Sequence, residues 1–272
     1  MKQDAAAIAV RAIASRKPQV FLHVASVRGM PPVKRGFAAR YDPDEGLSGS
    51  IGSEAIDAAV SRDAAAVLQL AEPTTQTYTP DGCKSSRSGQ AYVRVFLDPI
   101  VPTPRLIIAG AGHIAQPLAR IAEVLGFEVW VVDDRSDYSN ISRFPTAHRI
   151  LVQPFQEFFA GLKVDPSTYV VLVTRAHRFD EDSLRRLLET PTPYIGMIGS
   201  RRRVHIVHKT LLAEGVAPEK FRNVYAPIGV DLGGRTAEEI ALAIVAELVN
   251  LRRGGKTPHL SLQVFRHAAS AR

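Results

Sequence analysis

The sequence predicts an α/β protein with a C-terminal Rossmann-like parallel sheet and helices on both faces, preceded by a smaller α+β domain. The strongest observation is an apolar strand at 106–109, a glycine turn, a helix and a second strand over 127–132 that ends in acids. This is the opening βαβ unit of a Rossmann domain. Strands and helices then alternate from Arg105 onward, which is typical of a parallel sheet. Prolines between positions 99 and 104 predict a domain boundary before that unit.

We assign residues 1–100 to the α+β domain. An Ala-rich segment predicts a helix, β-branched apolar segments predict strands, and an Asp-Pro-Asp-Glu-Gly segment predicts a hairpin turn. Ser53 is predicted to cap a helix, since its hydroxyl can accept a hydrogen bond from a first-turn backbone N–H. The predicted elements are a helix over 4–16, strands over 20–27, 36–41 and 92–97, a turn over 42–46, and a helix over 53–70.

The Rossmann-like domain is predicted over residues 105–253, followed by a polar tail over 254–272 that we expect to be loosely ordered. Helices separate its strands, and the last helix is predicted over 236–251. The predicted strands lie at 105–109, 128–132, 148–152, 168–174 and 193–198.

Composition narrows the class of protein. The 272 residues suffice for one large domain or two modest ones, and 46% hydrophobic residues can form a core. The one cysteine, Cys83, excludes a disulfide framework and fits a reducing cytoplasm. The N-terminus lacks the apolar stretch of a secretory signal, and no apolar run reaches the roughly 18 residues of a membrane span. We therefore expect a cytoplasmic protein without a transmembrane segment.

The net charge of +7 is concentrated in clusters at 201–203, at 252–256 and at the C-terminus. Three interpretations stay open: a solvated basic face, an anionic phosphate ligand, and an acidic protein partner. The clusters lack the interleaved aromatic residues typical of nucleic-acid binding, so no nucleic-acid partner is expected.

The glycine turn carries the chemistry of the predicted Rossmann unit. Gly110 allows the tight turn, Gly112 lets backbone approach a phosphate, and the small Ala115 permits close packing of helix and strand. The N–H groups of the following helix favour an anion. Asp133 and Asp134 follow about 20 residues later, where an acid accepts from a ribose hydroxyl.

Three neighbouring residues have alternative interpretations. Arg135 either favours an additional phosphate or pairs with Asp134. His113 is either a polar group facing the ligand or a surface histidine. His177 follows the fourth predicted strand of the Rossmann-like domain at its carboxyl end, where ligand groups gather in open α/β sheets, so a role in the site is favoured.

With these motifs the chain resembles the xanthine dehydrogenase accessory (XdhC/CoxI) family of molybdenum-enzyme maturation factors. The matching segments are spread over most of the chain, and the last two are specific to the family. The first segments are an N-terminal glycine loop with Gly49, Ser50 and Gly52, and the Rossmann turn Gly110–His113. The next are Asp133–Arg135 and Arg143-Phe144-Pro145. The last two are Tyr194–Arg202, which includes Ser200 and Arg201, and Pro227–Thr236, which includes Gly229, Asp231, Gly233, Gly234 and Arg235.

The resemblance implies a chaperone rather than an enzyme. Such proteins bind the molybdenum cofactor (molybdopterin or its dinucleotide), protect it while its sulfido ligand is installed, and pass it to a molybdenum hydroxylase of the xanthine or carbon monoxide dehydrogenase type. The implied partners are the hydroxylase apoenzyme and a cysteine desulfurase or similar sulfur donor. Ser200, Arg201 and Arg235 and the glycine loops are the implied cofactor-binding residues, since arginine and helix N-termini bind phosphate well.

The chain departs from the family pattern in its N-terminal domain. Ser53 and Glu54 replace two glycines of the family's glycine run, although Asp57 keeps the acid that ends it. The family's Cys-Gly-Gly segment reads Cys83-Lys84-Ser85 here. Cys83 is either a thiolate that handles sulfur or metal or an inert cysteine. Loss of glycine removes close backbone approach, which predicts a divergent subgroup.

Two other functions stay open. An NAD(P)-dependent oxidoreductase needs a proton donor, and the sequence contains no Tyr-x-x-x-Lys pair. A nucleotide-sensing regulator would share the glycine turn and terminal acid, but the additional N-terminal domain and the 229–235 loop argue against it.

A homodimer is also considered, with Ile240, Ile244 and Leu248 of the last helix as either core or interface, and core is favoured. The sequence does not predict which metal, if any, is bound.

Overall fold

The computed structural model describes residues 10, 16–30, 33–84, 91–175 and 177–259, and for residues 177 and 178 the backbone only. The chain divides into two compact units, Met1–Pro102 and Thr103–Arg272, and each has hydrophobic cores of its own. The predicted helix over 4–16 and most of the predicted tail lie outside the described residues.

The first unit contains an antiparallel sheet and a helix, α1 (Glu54–Leu70). Its strands are β1 (Gln19–Arg28), β2 (Ala38–Asp42), β3 (Gly46–Ser48), β4 (Thr74–Tyr78) and β5 (Tyr92–Ile100). The order across the sheet is β3-β2-β1-β5-β4. Alternate residues of β1 are buried in a core shared with α1, because successive side chains of a strand point to opposite faces. This confirms the predicted α+β architecture.

Local chemistry explains the details of this unit. The predicted hairpin joins β2 and β3, with Gly46 at φ +76° in the turn. Ser53 caps α1 as predicted, since its hydroxyl accepts from the backbone N–H of Ile56 at 3.4 Å. The strand β4 was not predicted, because its Thr-Thr-Gln-Thr-Tyr sequence is β-branched but lacks apolar alternation. Such a strand is typical of a sheet edge, where β4 lies.

The second unit is built on a six-stranded parallel sheet. The sheet order is β11-β10-β9-β6-β7-β8. Its strands are β6 (Arg105–Ala109), β7 (Glu128–Asp133), β8 (Arg149–Val152), β9 (Thr168–Leu172), β10 (Tyr194–Met197) and β11 (Val224–Tyr225). The strand β11 was not predicted, because a strand of two residues is too short to show a periodic pattern.

Helices cover both faces of this sheet, as predicted. The helices are α2 (Ala115–Val124), α3 (Phe155–Gly161), α4 (His177–Leu187), α5 (Arg201–Ala213) and α6 (Ala237–Arg252), with a 3-10 helix at Pro218–Asn223. One core contains α2 and α6, and the other contains α3, α4 and α5. Leu106 and Ile108 of β6 enter the first core, whereas Ile107 and Ala109 enter the second. The Rossmann-like architecture is thereby confirmed.

The last helix is anchored by a buried carboxylate. Glu247 is fully buried and accepts hydrogen bonds from the Tyr194 hydroxyl at 2.6 Å and from the Gly229 backbone N–H at 2.9 Å. His259 Nδ1 lies 2.9 Å from the same carboxylate, which ties the chain beyond α6 back to the helix.

Ile244 and Leu248 are fully buried in the unit's own core, as the sequence favoured, so neither is available for a dimer interface. None of the described helices has the length and apolar character to span a bilayer.

Candidate functional site

The second unit has its topological switch point between β6 and β9. From β6 the chain proceeds outward through β7 and β8, and from β9 it proceeds in the opposite direction through β10 and β11. In open α/β sheets the ligand crevice lies at the carboxyl ends of the two strands where the order reverses. The residues that follow β6 and β9, namely 110–114 and 173–175, therefore frame the candidate site.

The glycine turn has one glycine required by the fold and one facing open space. Gly110 has φ +106°, and a Cβ there would lie 2.4 Å from the Val173 carbonyl oxygen, so only glycine fits. A Cβ on Gly112 would meet nothing within 4 Å. Helix α2 then begins with no side-chain cap, and the small Ala115 is fully buried in its first turn. The turn thus combines open space beside Gly112 with an uncapped helix start, which suits an anionic ligand.

The Asp133 carboxylate holds the glycine turn in place. It is almost fully buried, and it accepts from the Ala111 backbone N–H at 2.8 Å. Arg135 donates to both carboxylate oxygens through Nε and Nη2, at 2.8 and 3.0 Å, and its backbone N–H donates at 3.1 Å. Asp133 therefore has a full set of donors from its own chain. Arg135, which the sequence analysis paired with Asp134 as one alternative, pairs mainly with Asp133 and lies 3.9 Å from Asp134.

Asp134 pairs with an arginine from the other side of the switch point. Arg175, which follows β9, donates through both Nη atoms to the two Asp134 carboxylate oxygens, at 2.8 Å for Nη2–Oδ2. The same guanidinium lies 3.7 Å from Asp133 Oδ1. The hydrogen bonds from Arg175 lower the pKa of Asp134 from 3.8 to about 2. The pair is partly exposed, with 38% of the Arg175 side chain and 26% of the Asp134 side chain accessible.

A third arginine approaches the turn from the segment after β7. Arg143 Nη2 donates to the Ala111 carbonyl oxygen at 3.1 Å, while its buried Nε has no hydrogen-bond partner among the described residues. Arg135 and Arg143 both lie over the Tyr138 ring, at 3.7 and 5.0 Å from its centroid. Arg143 therefore contacts the turn directly, and Arg135 and Arg175 are linked to its neighbourhood through Asp133 and Asp134.

The loop after β10 contributes to the same edge of the sheet. Ser200 caps α5 by accepting from the Arg203 backbone N–H at 3.4 Å. Arg203 lies against Gly199, and its buried Nε has no partner among the described residues. Arg201 is exposed, and with Arg202, His205 and Lys209 it lines a depression of about 520 Å³ on the surface of α5.

The 229–235 loop leads into α6. Gly229 has φ +100° and donates to Glu247, whereas Asp231, Gly233 and Arg235 are exposed. At its end a capping box closes the helix start, because Thr236 and Glu239 each accept from the other's backbone N–H. Glu239 also accepts from the Arg235 backbone N–H at 2.7 Å, and a Cβ on Gly234 would lie 2.8 Å from Glu239 Cβ. The Arg235 side chain is thus held at an exposed helix start.

Two histidines and the cysteine were also predicted as site residues. His113 is exposed beside the glycine turn. His177 begins α4, but its side chain lies outside the described residues. Cys83 is exposed in the first unit, and its hydrogen bond to Asp81 raises the pKa of its thiol, which disfavours the thiolate.

The N-terminal glycine loop satisfies its own polar groups. The Asp57 carboxylate accepts from the Ser50 hydroxyl and from the Ile51 backbone N–H, both at 2.7 Å. A Cβ on Gly52 would lie 2.3 Å from Val33 Cγ2, and a Cβ on Gly49 would lie 3.3 Å from Ala39 Cβ. Close packing within the first unit therefore accounts for both glycines.

A buried acid, Asp180, lies five positions after Arg175 and was not singled out from the sequence. Asp180 is 1% exposed, and its Oδ1 accepts from the Thr174 backbone N–H and hydroxyl. Its Oδ2 has no partner among the described residues. Burial raises the pKa of Asp180 to about 6, although the hydrogen bonds from Thr174 oppose the rise. No cluster of three or more metal-ligating side chains occurs in the described part of the chain.

Comparison with known families identifies the chain. A family model described as the XdhC Rossmann domain matches residues 106–248, more than half of the 272 residues, and that of the XdhC and CoxI family matches residues 12–79. The chain belongs to the XdhC and CoxI family. The first match contains the glycine turn, the arginines 135, 143 and 175, and the 229–235 loop.

Several relatives of this XdhC and CoxI family member are known. Protein YqeB of Escherichia coli is 28% identical over 240 residues, which are 86% of this chain and 44% of YqeB. A Bacillus subtilis protein named as a probable xanthine dehydrogenase component is 33% identical over 159 residues, 58% of this chain and 46% of that protein. PaoD of Escherichia coli, named a molybdenum cofactor insertion chaperone, is 25% identical over 151 residues, 56% of this chain and 41% of PaoD. The chain spans less than half the length of these curated relatives.

A solved structure supports the fold of this family member. A crystal structure described as a xanthine dehydrogenase from Bacillus halodurans matches with a TM-score of 0.52 and 22% identity. The match covers 93% of this chain and 97% of that chain. At this identity the likeness shows a shared fold.

Proposed function

We propose that this protein is a maturation factor for a molybdenum hydroxylase of the xanthine or carbon monoxide dehydrogenase type. It binds the molybdenum cofactor at the switch point, shelters it while sulfur or metal is added, and passes it to the apoenzyme. The observation that carries the proposal is the arginine-lined crevice around the open Gly112, in a chain whose relatives include a named molybdenum cofactor insertion chaperone.

The residues of the crevice fit the chemistry of this cofactor. Molybdopterin carries a phosphate, and its dinucleotide form carries a pyrophosphate. Arginine binds such groups through paired donors, and an uncapped helix start adds backbone N–H groups. The Arg175 guanidinium is the one that an anionic ligand can reach directly, because 38% of its side chain is accessible.

The proposed roles of the residues follow from their places. Gly112, the start of α2, Arg143 and Arg175 hold the phosphate end. Exposed residues of the two late loops border the crevice, and we assign Ser200, Arg201, Asp231, Gly233, Gly234 and Arg235 to this border. The buried Gly229 shapes the second loop through its hydrogen bond to Glu247. When bound, the cofactor supplies the molybdenum centre on which the recipient hydroxylase depends. The chain itself binds it, orients it and excludes water.

The NAD(P)-dependent alternative receives less support from the same geometry. A nicotinamide dinucleotide needs an acid at the end of the second strand to accept from its ribose hydroxyl. Asp133 occupies that place, but Ala111 and Arg135 already donate to both of its oxygens. Binding of NAD(P) would therefore have to displace the contacts that hold the glycine turn.

The proposed partners are the hydroxylase apoenzyme and a sulfur donor such as a cysteine desulfurase, and the proposed location is the cytoplasm. The exposed basic face of α5, with Arg201, Arg202 and Lys209, suits an acidic protein surface. A homodimer would have to use a surface other than Ile244 and Leu248, because these side chains are buried within the unit.

The proposal is tested by deleting the gene in its native host and measuring the cofactor content of the purified molybdenum hydroxylase. The deletion should leave the hydroxylase largely empty, and the wild-type gene should restore loading. The Gly112→Asp gene, whose product has a negative charge in the phosphate site, should restore roughly tenfold less cofactor loading than the wild-type gene. Gly161→Asp is the matched control, because Gly161 is exposed on α3 and a Cβ there also meets nothing within 4 Å. A fully loaded, active hydroxylase in the deletion strain would contradict the proposal.

A further inference from the structure

The ion pair between Asp134 and Arg175 lies across the switch point. Asp134 follows β7, Arg175 follows β9, and β6 with its glycine turn lies between these two strands. The two Nη atoms of Arg175 present parallel donors to two carboxylate oxygens. Arginine binds a phosphate in this same bidentate geometry. Asp134 therefore occupies the place where a ligand's phosphate would meet Arg175.

The two adjacent acids differ in how firmly they are held. Asp133 is 1% exposed and accepts from two backbone N–H groups and from two atoms of Arg135. Asp134 has 26% of its side chain exposed, and its close partner is Arg175. Partly exposed ion pairs contribute little to stability, whereas buried carboxylates with several donors are hard to displace. Asp134 can thus leave its partner while Asp133 stays.

We propose that Asp134 is a built-in occupant of an anion subsite, and that a phosphate of the ligand replaces its carboxylate on the Arg175 guanidinium. The proposal rests on the proposed function and specifies the ligand that the same site takes. The ligand must carry a phosphate or pyrophosphate at this point, because a neutral group cannot compete with a carboxylate for arginine.

The charge balance of the crevice supports this exchange. Asp133 and Asp134 neutralise Arg135 and Arg175, so each guanidinium has a counter-charge from the chain itself. A phosphate carries up to two negative charges and offers three oxygens. Arg175 can therefore exchange one acceptor for a stronger one, and the released Asp134 turns into solvent.

The test is a titration of the full chain with isolated molybdenum cofactor and, separately, with inorganic pyrophosphate. Asp134→Asn removes the competing charge and should raise the affinity for both probes by roughly fivefold, which corresponds to the free energy of an exposed ion pair. Asp137→Asn is the matched control, because Asp137 is an exposed acid three residues away and makes the same change in net charge. It should shift affinity by less than roughly twofold at moderate salt.

A second variant keeps the test decisive if the first alters the fold. Arg175→Gln should weaken both probes by roughly tenfold. Adding Asp134→Asn to Arg175→Gln should then give no gain, because the two residues act through one contact. Unchanged or weaker binding by Asp134→Asn, with an unchanged melting temperature, would show that Asp134 positions Arg175 and would overturn the exchange.

The two probes separate this inference from the proposed function. If the wild-type chain binds pyrophosphate but not the cofactor, the proposed function fails while the exchange is judged on pyrophosphate. If the cofactor binds and Asp134→Asn does not tighten it, the exchange fails while the proposed function stands. Binding of neither probe would overturn both.

Discussion

At the scale of single residues, Gly110 and Gly112 have different tasks although they stand two positions apart. Gly110 supports the fold, because its φ of +106° and its closeness to the Val173 carbonyl exclude a side chain. Gly112 leaves room for something outside the chain, since no atom lies within 4 Å of the place of its Cβ. Stability and binding measurements can therefore separate the two roles.

Gly110→Ala should lower the free energy of unfolding by at least about 2 kcal/mol, from strain at positive φ and contact with backbone. Gly112→Ala should change it by less than about 1 kcal/mol, because its Cβ meets open space. Denaturant titration of the two variants and the wild type measures both values. Equal destabilisation by the two variants would contradict the assigned roles.

Asp180 should make stability depend on pH. Its pKa is raised from 3.8 to about 6 by burial, so between these values the folded chain holds a proton that the unfolded chain has lost. The free energy of unfolding therefore falls as pH rises from about 4 to about 6, and the penalty stays constant above that. Asp180→Asn should remove a penalty of roughly 2–3 kcal/mol at pH 7.

The measurement is denaturant unfolding of Asp180→Asn and wild type at several values of pH. The gain from the substitution should grow between pH 4 and pH 6 and then level off. Asp137→Asn, an exposed acid, serves as control for the change in net charge. A gain that is the same at pH 4 and pH 7 would show that Asp180 titrates normally.

Asp133, Asp134 and Arg135 could be predicted from the sequence as site residues, and the contacts of Arg143 and Arg175 could not. Asp133 and Asp134 stand at a fixed distance after the glycine turn, so the motif points to them. Arg175 pairs with Asp134 across 41 positions, and Arg143 reaches Ala111 across 32. Such contacts depend on the order of strands in the sheet, which a local pattern does not contain.

At the scale of elements, α6 is held by a buried carboxylate as well as by its apolar residues. Glu247 binds the start of β10 through Tyr194, the late loop through Gly229 and the following segment through His259. One carboxylate therefore joins three elements. Position 247 lies on the same helix face as Ile240 and Ile244, so it is the residue type that conceals the burial, because a glutamate in a helix is usually exposed.

Glu247→Ala should lower the free energy of unfolding by about 3–5 kcal/mol, since it leaves the buried Tyr194 hydroxyl and Gly229 N–H without an acceptor and releases the half-buried His259. It should also speed cleavage by trypsin after Lys256, which lies in the segment that His259 ties to the helix. Glu238→Ala, at an exposed position in the first turn of α6, should cost less than about 1 kcal/mol. Cleavage of Glu247→Ala at the wild-type rate would contradict the anchoring role.

Elements with a clear periodic spacing of apolar residues were predictable from the sequence, and two strands at the edges of the sheets were not. The strand β6 and the helix α2 were predicted because an apolar run, a glycine turn and an amphipathic helix follow one another. The strands β4 and β11 were missed because one is polar and the other has two residues. Both lie at the edge of a sheet, where burial is lower or pairing is one-sided.

At the scale of the whole molecule, the chain consists of two units with separate cores. We propose domains over 1–100 and 105–253, with the proline-spaced segment between them as the linker. The fragment 103–272 should then fold alone, because every residue of its two cores lies within it. Circular dichroism and thermal unfolding of the fragment test this. A fragment without a cooperative transition would contradict the division.

The central claim is that the second unit binds the molybdenum cofactor at its switch point. The most direct measurement is a titration of the full purified chain with isolated cofactor, with Gly112→Asp and Arg235→Ala beside the wild type and Gly161→Asp as control. We expect tight binding by wild type and control, and binding weakened by roughly tenfold or more in the other two variants. No binding by a correctly folded wild-type chain would contradict the claim and leave a docking or metal-delivery role instead.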